Sequence, residues 1–176
     1  FRKEVINIMK LKFQKDAIVN GINIVMKAVP SKTTMSILEC ILIDASGSEI
    51  KLTGNDMELG IETKVEGEIL EHGKIALDAK LFSEITRRLS SQNATVTIES
   101  DEKFNTVLSC ENSVFHIQGR DGEEFAYLPY IERDKYICLS QFTLKEVIQQ
   151  TIFSISPNDS NKMMAGELFE VNENLL

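Results

Sequence analysis

The chain has 176 residues, 43% hydrophobic and 26% charged, values that fit one globular domain or two small ones. Its formal net charge of −8 argues against a uniformly basic nucleic-acid binder, although an acidic protein can still carry one basic face. No apolar run approaches the ~20 residues that span a bilayer, and the start lacks the apolar core of a signal peptide. No membrane partner is expected. Cys40, Cys110 and Cys138 form no close pair and read as reduced thiols of a cytoplasmic protein.

In chain order, residues 1–8, "FRKEVINI", precede a plausible initiator, Met9, and are set aside as a leader foreign to the fold. Ile18, Ile22, Val25 and Val29 recur at helical spacing, with Asp16 as the expected cap and Pro30 as the stop. "ILECILID" (37–44) reads as a buried strand, and "EIKLTGND" follows. Met57, Leu59, Ile61, Thr63 and Val65 alternate as in a half-buried strand, and "GKIALD" is another. "DAKLFSEITRRL" (78–89) predicts a second helix, capped by Asp78, with Leu81, Phe82, Ile85 and Leu89 as its buried stripe. "ATVTIES", "FNTVLSC" and "SVFHIQG" predict three more strands. A polar stretch with Pro129 marks a domain boundary, after which "ICLSQF" reads as a strand and "TLKEVIQQTIFSI" as a helix. The fold class is α+β, dominated by antiparallel strands.

A shift of 126 residues lays "INIVMKAVPSKTTMSILECILIDA" over "IQQTIFSISPNDSNKMMAGELFEV" without a gap, matching apolar positions throughout. That agreement points to a duplicated unit. The domains are then 9–128, a linker 129–136, and 137–176 as the first part of a second copy.

Chemistry-bearing clusters are scarce. His72 and His116 have no cysteine or second histidine at ligand spacing, so no metal site is expected. No Walker-type loop or dinucleotide fingerprint occurs, and no cofactor is expected. Asp56 and Glu58 are the best imaginable catalytic pair, yet they read as solvated charges at a strand end. No catalytic site is assigned.

The cations are more informative. Lys80 and Arg87 are seven apart, so they return to within about 20° of each other on one helix edge. Arg88 adjoins Arg87, Lys27 lies on the polar side of the first helix, and Lys32 sits in "AVPSKTTMSIL" just past its end. Spacing leaves two readings open: ordinary solvated side chains, or one basic face turned toward a duplex. No aromatic residue interleaves with them, so contact with the phosphate backbone is the mode that remains.

The blocks "MKLKFQKDAIVNGINIVMKAVPSKTTMSILECILIDA", "LTGNDMELGIET", "DAKLFSEITRRL", "FAYLPYI" and "QFTLKEVIQQTIFSIS" with "GELFE" resemble the bacterial DNA polymerase III beta subunit family, the sliding clamps. The resemblance runs from Met9 to the last residue. It implies a clamp (processivity-fold) domain, two helices on antiparallel sheets, followed by part of a second similar domain. It implies double-stranded DNA as partner and self-association into a ring. It further implies that the replicative polymerase and clamp loader dock in a cleft this chain lacks, together with the third domain. The family has no catalytic site of its own and serves a polymerase complex as an accessory subunit. Carried over by position, Lys32, Lys80 and Arg87 match DNA-facing residues, with Lys27 and Arg88 beside them. Asn158 and Lys162 fall in a second contact turn, where Asn161 replaces the usual arginine. Phe82, Ile85, Phe115 and Ile117 match the subunit contact, and ordinary core is the competing reading for all four. Two rivals stay open: a β-rich interaction module without DNA contact, and a hydrolase using Asp56.

Overall fold

The computed structural model describes residues 7–89, 94–126, 128, 136–156 and 162–170. The chain divides into two compact units, Phe1–Pro129 and Tyr130–Leu176.

In the first unit, β1 (Asn7–Gln14) leads into α1 (Lys15–Val25), and a 3-10 turn, Met26–Ala28, extends the helix. Then come β2 (Cys40–Asp44), β3 (Ile50–Asn55), β4 (Gly60–Val65), β5 (Gly67–Glu71) and β6 (Lys74–Asp78). α2 (Ala79–Arg88) precedes β7 (Thr95–Asp101), β8 (Asn105–Cys110), β9 (Ser113–Gln118) and the short β10 (Arg120–Asp121). Among the described residues the strands form two five-stranded sheets, ordered β5-β1-β7-β8-β9 and β10-β6-β2-β3-β4. Every described pairing is antiparallel.

Period-2 alternation explains the first sheet. Met9, Leu11 and Phe13 point inward and are buried, as are Val96 and Ile98 across the ladder, while Lys10 and Lys12 point out. α1 adds Ile18, Ile22 and Val25, and α2 with the residue after it adds Phe82, Ile85 and Leu89, to one core shared with Ile41, Ile43, Leu52 and Leu77 of the second sheet. Burying each such side chain contributes about 1.5–3 kcal/mol. On the other face of that sheet, Cys40, Leu42 and Ala76 are covered by Phe125. With both faces covered, β2 reads as a continuous apolar run and not as an alternation.

The structure departs from the sequence reading in several places. β1 and β5 were not expected, and β1 begins at Asn7, inside the stretch set aside as a leader. Ile37–Glu39 belongs to a 3-10 turn, Ser36–Glu39, so the strand starts only at Cys40. The N-cap of α1 is Gln14, and Asp16 sits in the first turn. Leu81, placed in the buried stripe of α2, is 43% exposed, while Ala79, Ser83 and Thr86 are buried in its stead. Met57 and Leu59 lie in a turn before β4. Asp56 Oδ1 accepts from the amides of Glu58 (2.9 Å) and Leu59 (2.6 Å), and Asn55 Oδ1 from that of Met57 (2.8 Å). Those local bonds compete with the ladder and hold Met57 at φ 75.

In the second unit, α3 (Gln141–Thr151) starts where Ser140 Oγ accepts from Thr143 N at 3.0 Å. Of "ICLSQF" (137–142), read as a strand, 137–140 have no regular structure and Gln141 and Phe142 open α3. A 3-10 turn, Ile152–Ser154, follows directly, and another spans Lys162–Ala165. The 126-residue shift carries α1 onto α3, Met26–Ala28 onto Ile152–Ser154, and Ser36–Glu39 onto Lys162–Ala165, end for end. The echo is therefore structural as well as sequential. No residue of α3 is buried.

Candidate nucleic-acid interface

α1 and α2 pack side by side. The buried stripe of each helix is turned to the sheets, which leaves the opposite sides to solvent. α2 begins at an aspartate because Asp78 Oδ1 accepts from Leu81 N at 2.7 Å, satisfying one orphan amide. Near its end Thr86, fully buried, returns its hydroxyl to the carbonyls of Phe82 (2.9 Å) and Ser83 (3.1 Å). The Lys15 ammonium donates to the Leu89 carbonyl, and Lys15 N to Ala94 O at 3.0 Å. The start of α1 is thereby fastened to the end of α2.

Lys80, Arg87 and Arg88 are exposed on α2, and Lys27 is exposed just past α1. Arg87 Nη2 donates to Asn23 Oδ1 on α1 at 2.5 Å, so the Arg87 edge of α2 is the one beside α1. Lys80, seven residues earlier, lies on that same edge about 10 Å along the axis. Lys32 is exposed in the turn after α1, where the Thr33 hydroxyl accepts from Met35 N at 3.1 Å. Among the described residues, no hydrogen bond or ion pair ties Lys32 to the helix pair. Arg88 approaches Glu84 at 3.9 Å, one turn back, which offsets its charge locally.

Charge pairing separates the two kinds of surface. All five lysines on the described strands have an acid partner: Lys10 with Glu99 (2.8 Å), Lys12 with Glu68 (3.8 Å) and Lys51 with Glu62 (3.1 Å). Lys64 pairs with Glu49 (2.7 Å), and Lys74 with Glu123 (3.0 Å) and Asp44 (3.9 Å). Each lysine on a described strand thus sits beside a carboxylate, whereas Lys27, Lys32 and Lys80, and Lys103 in the β7–β8 turn, have none within ion-pair distance among the described residues.

Of the four residues matched to a subunit contact, Phe82 (0% exposed) and Ile117 (2%) are core, and Ile85 is buried at 8%. A side chain with no free area offers a partner nothing, so Phe82 and Ile117 are corrected to core. Phe115 is half-buried against the same core, on β9, an edge strand of the first sheet. Asn158 lies outside the described residues, and Lys162 opens the 3-10 turn Lys162–Ala165.

The enzymatic candidates have structural roles instead. Asp56 is committed to the turn, and the amides it accepts hold its carboxyl below the usual range, which makes it a weaker base. His72 Nδ1 lies 2.8 Å from Ala45 O, between two loops. Among the described residues no group of three His, Cys, Asp or Glu is arranged to hold a metal.

Residues 9–129 match the family model described as the DNA polymerase III beta subunit, N-terminal domain. The chain belongs to that family. It is 35% identical over 176 residues to the beta sliding clamp of Halalkalibacterium halodurans, covering 96% of this chain and 46% of that protein. The match to the beta sliding clamp of Bacillus subtilis is also 35% identical, with the same coverage. A solved DNA polymerase III beta subunit from Eubacterium rectale is 63% identical at TM-score 0.87, over 94% of this chain and 45% of that one. The B. subtilis sliding clamp structure is 34% identical at TM-score 0.80, over 88% and 42%. The chain thus spans about half the length of the beta subunits it matches.

Asn23 and Lys15, whose side chains bond to Arg87 and to the Leu89 carbonyl, were not singled out by the sequence. Nothing in the sequence links Asn23 to a side chain 64 positions away.

Proposed function

We propose that the chain is the opening portion of a sliding clamp that encircles duplex DNA and keeps a replicative polymerase on its template. Residues 9–128 form the first clamp domain, 129–136 a linker, and 137–176 the beginning of a second domain. It carries no catalytic site and serves a nucleotidyltransferase complex in the bacterial cytoplasm. Polymerase and clamp loader dock on parts of the ring outside these residues. The pairing of cations supports this reading: each lysine on a described strand has an acid beside it, while Lys27, Lys32 and Lys80 have none among the described residues. Encirclement holds such a protein on DNA by topology, so a few flexible cations suffice, and tight contacts would hinder sliding.

Lys32, Lys80, Arg87 and Lys27 face the phosphates, with Arg88 weakened by Glu84, and Asn158 and Lys162 adding a turn from the second domain. Phe115, Ile85 and the outer edge of β9 form the subunit contact. The supporting experiment is a titration of a fluorescent duplex at low salt. The wild-type chain binds weakly and regardless of sequence, and Lys32→Ala/Lys80→Ala/Arg87→Ala binds less. Equal binding by the two proteins overturns the assignment of these three cations, and binding by neither favours an interaction module without DNA contact.

A further inference from the structure

Arg87 and Arg88 are neighbours on one exposed helix end, yet the fold treats them differently. Arg88 has a carboxylate near it, Glu84 at 3.9 Å. Arg87 has a neutral amide, Asn23 Oδ1 at 2.5 Å, supplied by the adjacent helix. A carboxylate would hold the guanidinium and cancel its charge. An amide oxygen holds it and leaves the charge whole. Arginine carries five N–H donors in a planar fork, so one bond to Asn23 leaves the remainder free for a bidentate grip on a phosphate. The second unit keeps an amide at the matching position, Gln149, although Phe153 and Asn158 stand where Lys27 and Lys32 do in the first.

We propose that Asn23 is a positioning residue for duplex binding: its side-chain oxygen locks the Arg87 guanidinium between α1 and α2, in the orientation that meets a phosphate, without neutralising it. This rests on the clamp reading. Asn23 touches no phosphate itself. It removes, before binding, the rotamer freedom that a long exposed arginine otherwise loses on contact, about 0.5–1.5 kcal/mol for such a side chain, or about two- to tenfold in affinity.

The test is duplex affinity against salt for the 176-residue chain. Arg87→Ala removes a charge and flattens the log–log salt dependence by about one unit. Asn23→Ala keeps the charge, so it weakens binding about two- to tenfold at every salt concentration with the slope unchanged. In an Arg87→Ala background it has no further effect. Asn23→Asp keeps the acceptor and adds a carboxylate, so it binds no better than Arg87→Ala. Side-chain Nε–Hε relaxation of Arg87 loosens in Asn23→Ala and stays ordered in Asn23→Asp. Alanine is the better helix former, so loss of α1 does not confound the result. Wild-type affinity for Asn23→Ala or Asn23→Asp overturns the proposal, as does an Asn23→Ala effect that persists without Arg87. A wild-type chain that ignores duplex refutes the clamp reading and takes this inference with it.

Discussion

Gly54→Ala tests how the helix side is held on the second sheet. Gly54 lies in β3 beneath the end of α1, and a Cβ there would stand 2.4 Å from the Val25 carbonyl oxygen. The Val25 carbonyl carbon would be 3.2 Å away and Val29 Cγ2 3.4 Å. The first contact is about 1 Å short of the ~3.5 Å optimum, and the obstacle is backbone, which cannot rotate away. Overpacking of this kind costs about 1–3 kcal/mol. Alanine returns about 0.4–1 kcal/mol by restricting the unfolded chain. The net expectation is a loss of about 1–2 kcal/mol, or about 4–8 °C in Tm for a unit of this size. Urea denaturation followed by far-UV circular dichroism measures it, with Gly47→Ala as control. A methyl group added at Gly47 would meet nothing within 4 Å, so that variant stays within about 0.5 kcal/mol of wild type. Gly54→Ala as stable as Gly47→Ala would refute the close approach of α1 to β3.

Three further outcomes are expected. Replacing Lys32, Lys80 and Arg87 together by alanine flattens the salt dependence of duplex binding by about 2.7 log units per decade, at ~0.9 per phosphate contact. The paired lysines Lys10 and Lys12 leave it nearly unchanged when replaced, and a slope that ignores the first three sinks the assignment. Burial pushes the Cys40 thiol from 9.0 up to about 11. The unfolded chain therefore releases this proton first, and stability falls as pH rises from 9 to about 11, by at most about 2–3 kcal/mol. Comparing urea midpoints of wild type and Cys40→Ala across that range isolates the effect, and identical pH profiles contradict the burial. Phe82→Ala costs about 3–5 kcal/mol, read by the same denaturation. A variant that keeps wild-type stability and loses only self-association would return Phe82 to the subunit surface.

Local patterns were legible wherever one short stretch contains the whole cause. α2 was readable because Asp78 caps it from three residues away and Phe82, Ile85 and Leu89 repeat at helical spacing. β1 is present in the alternation of "MKLKF", with Met9, Leu11 and Phe13 buried and Lys10 and Lys12 turned out. The turn before β4 was misread because Met57 and Leu59 keep the strand period while Asn55 and Asp56 bond their own neighbours. Phe115 and Ile117 alternate correctly, yet alternation names a face and does not say whether core or partner covers it.

The amino-acid sequence by itself determined the helices, most of the strands, the 126-residue echo and the family, because hydrophobic period, capping residues and that echo are properties of adjacent or evenly spaced positions. Tertiary structure alone decided which cations sit beside an acid. Lys51 meets Glu62 and Lys64 meets Glu49 across strands, while Arg87 meets an amide on another helix. Those partners are brought together by sheet register and helix packing, and a Coulomb interaction depends on distance in space, to which separation along the chain is blind.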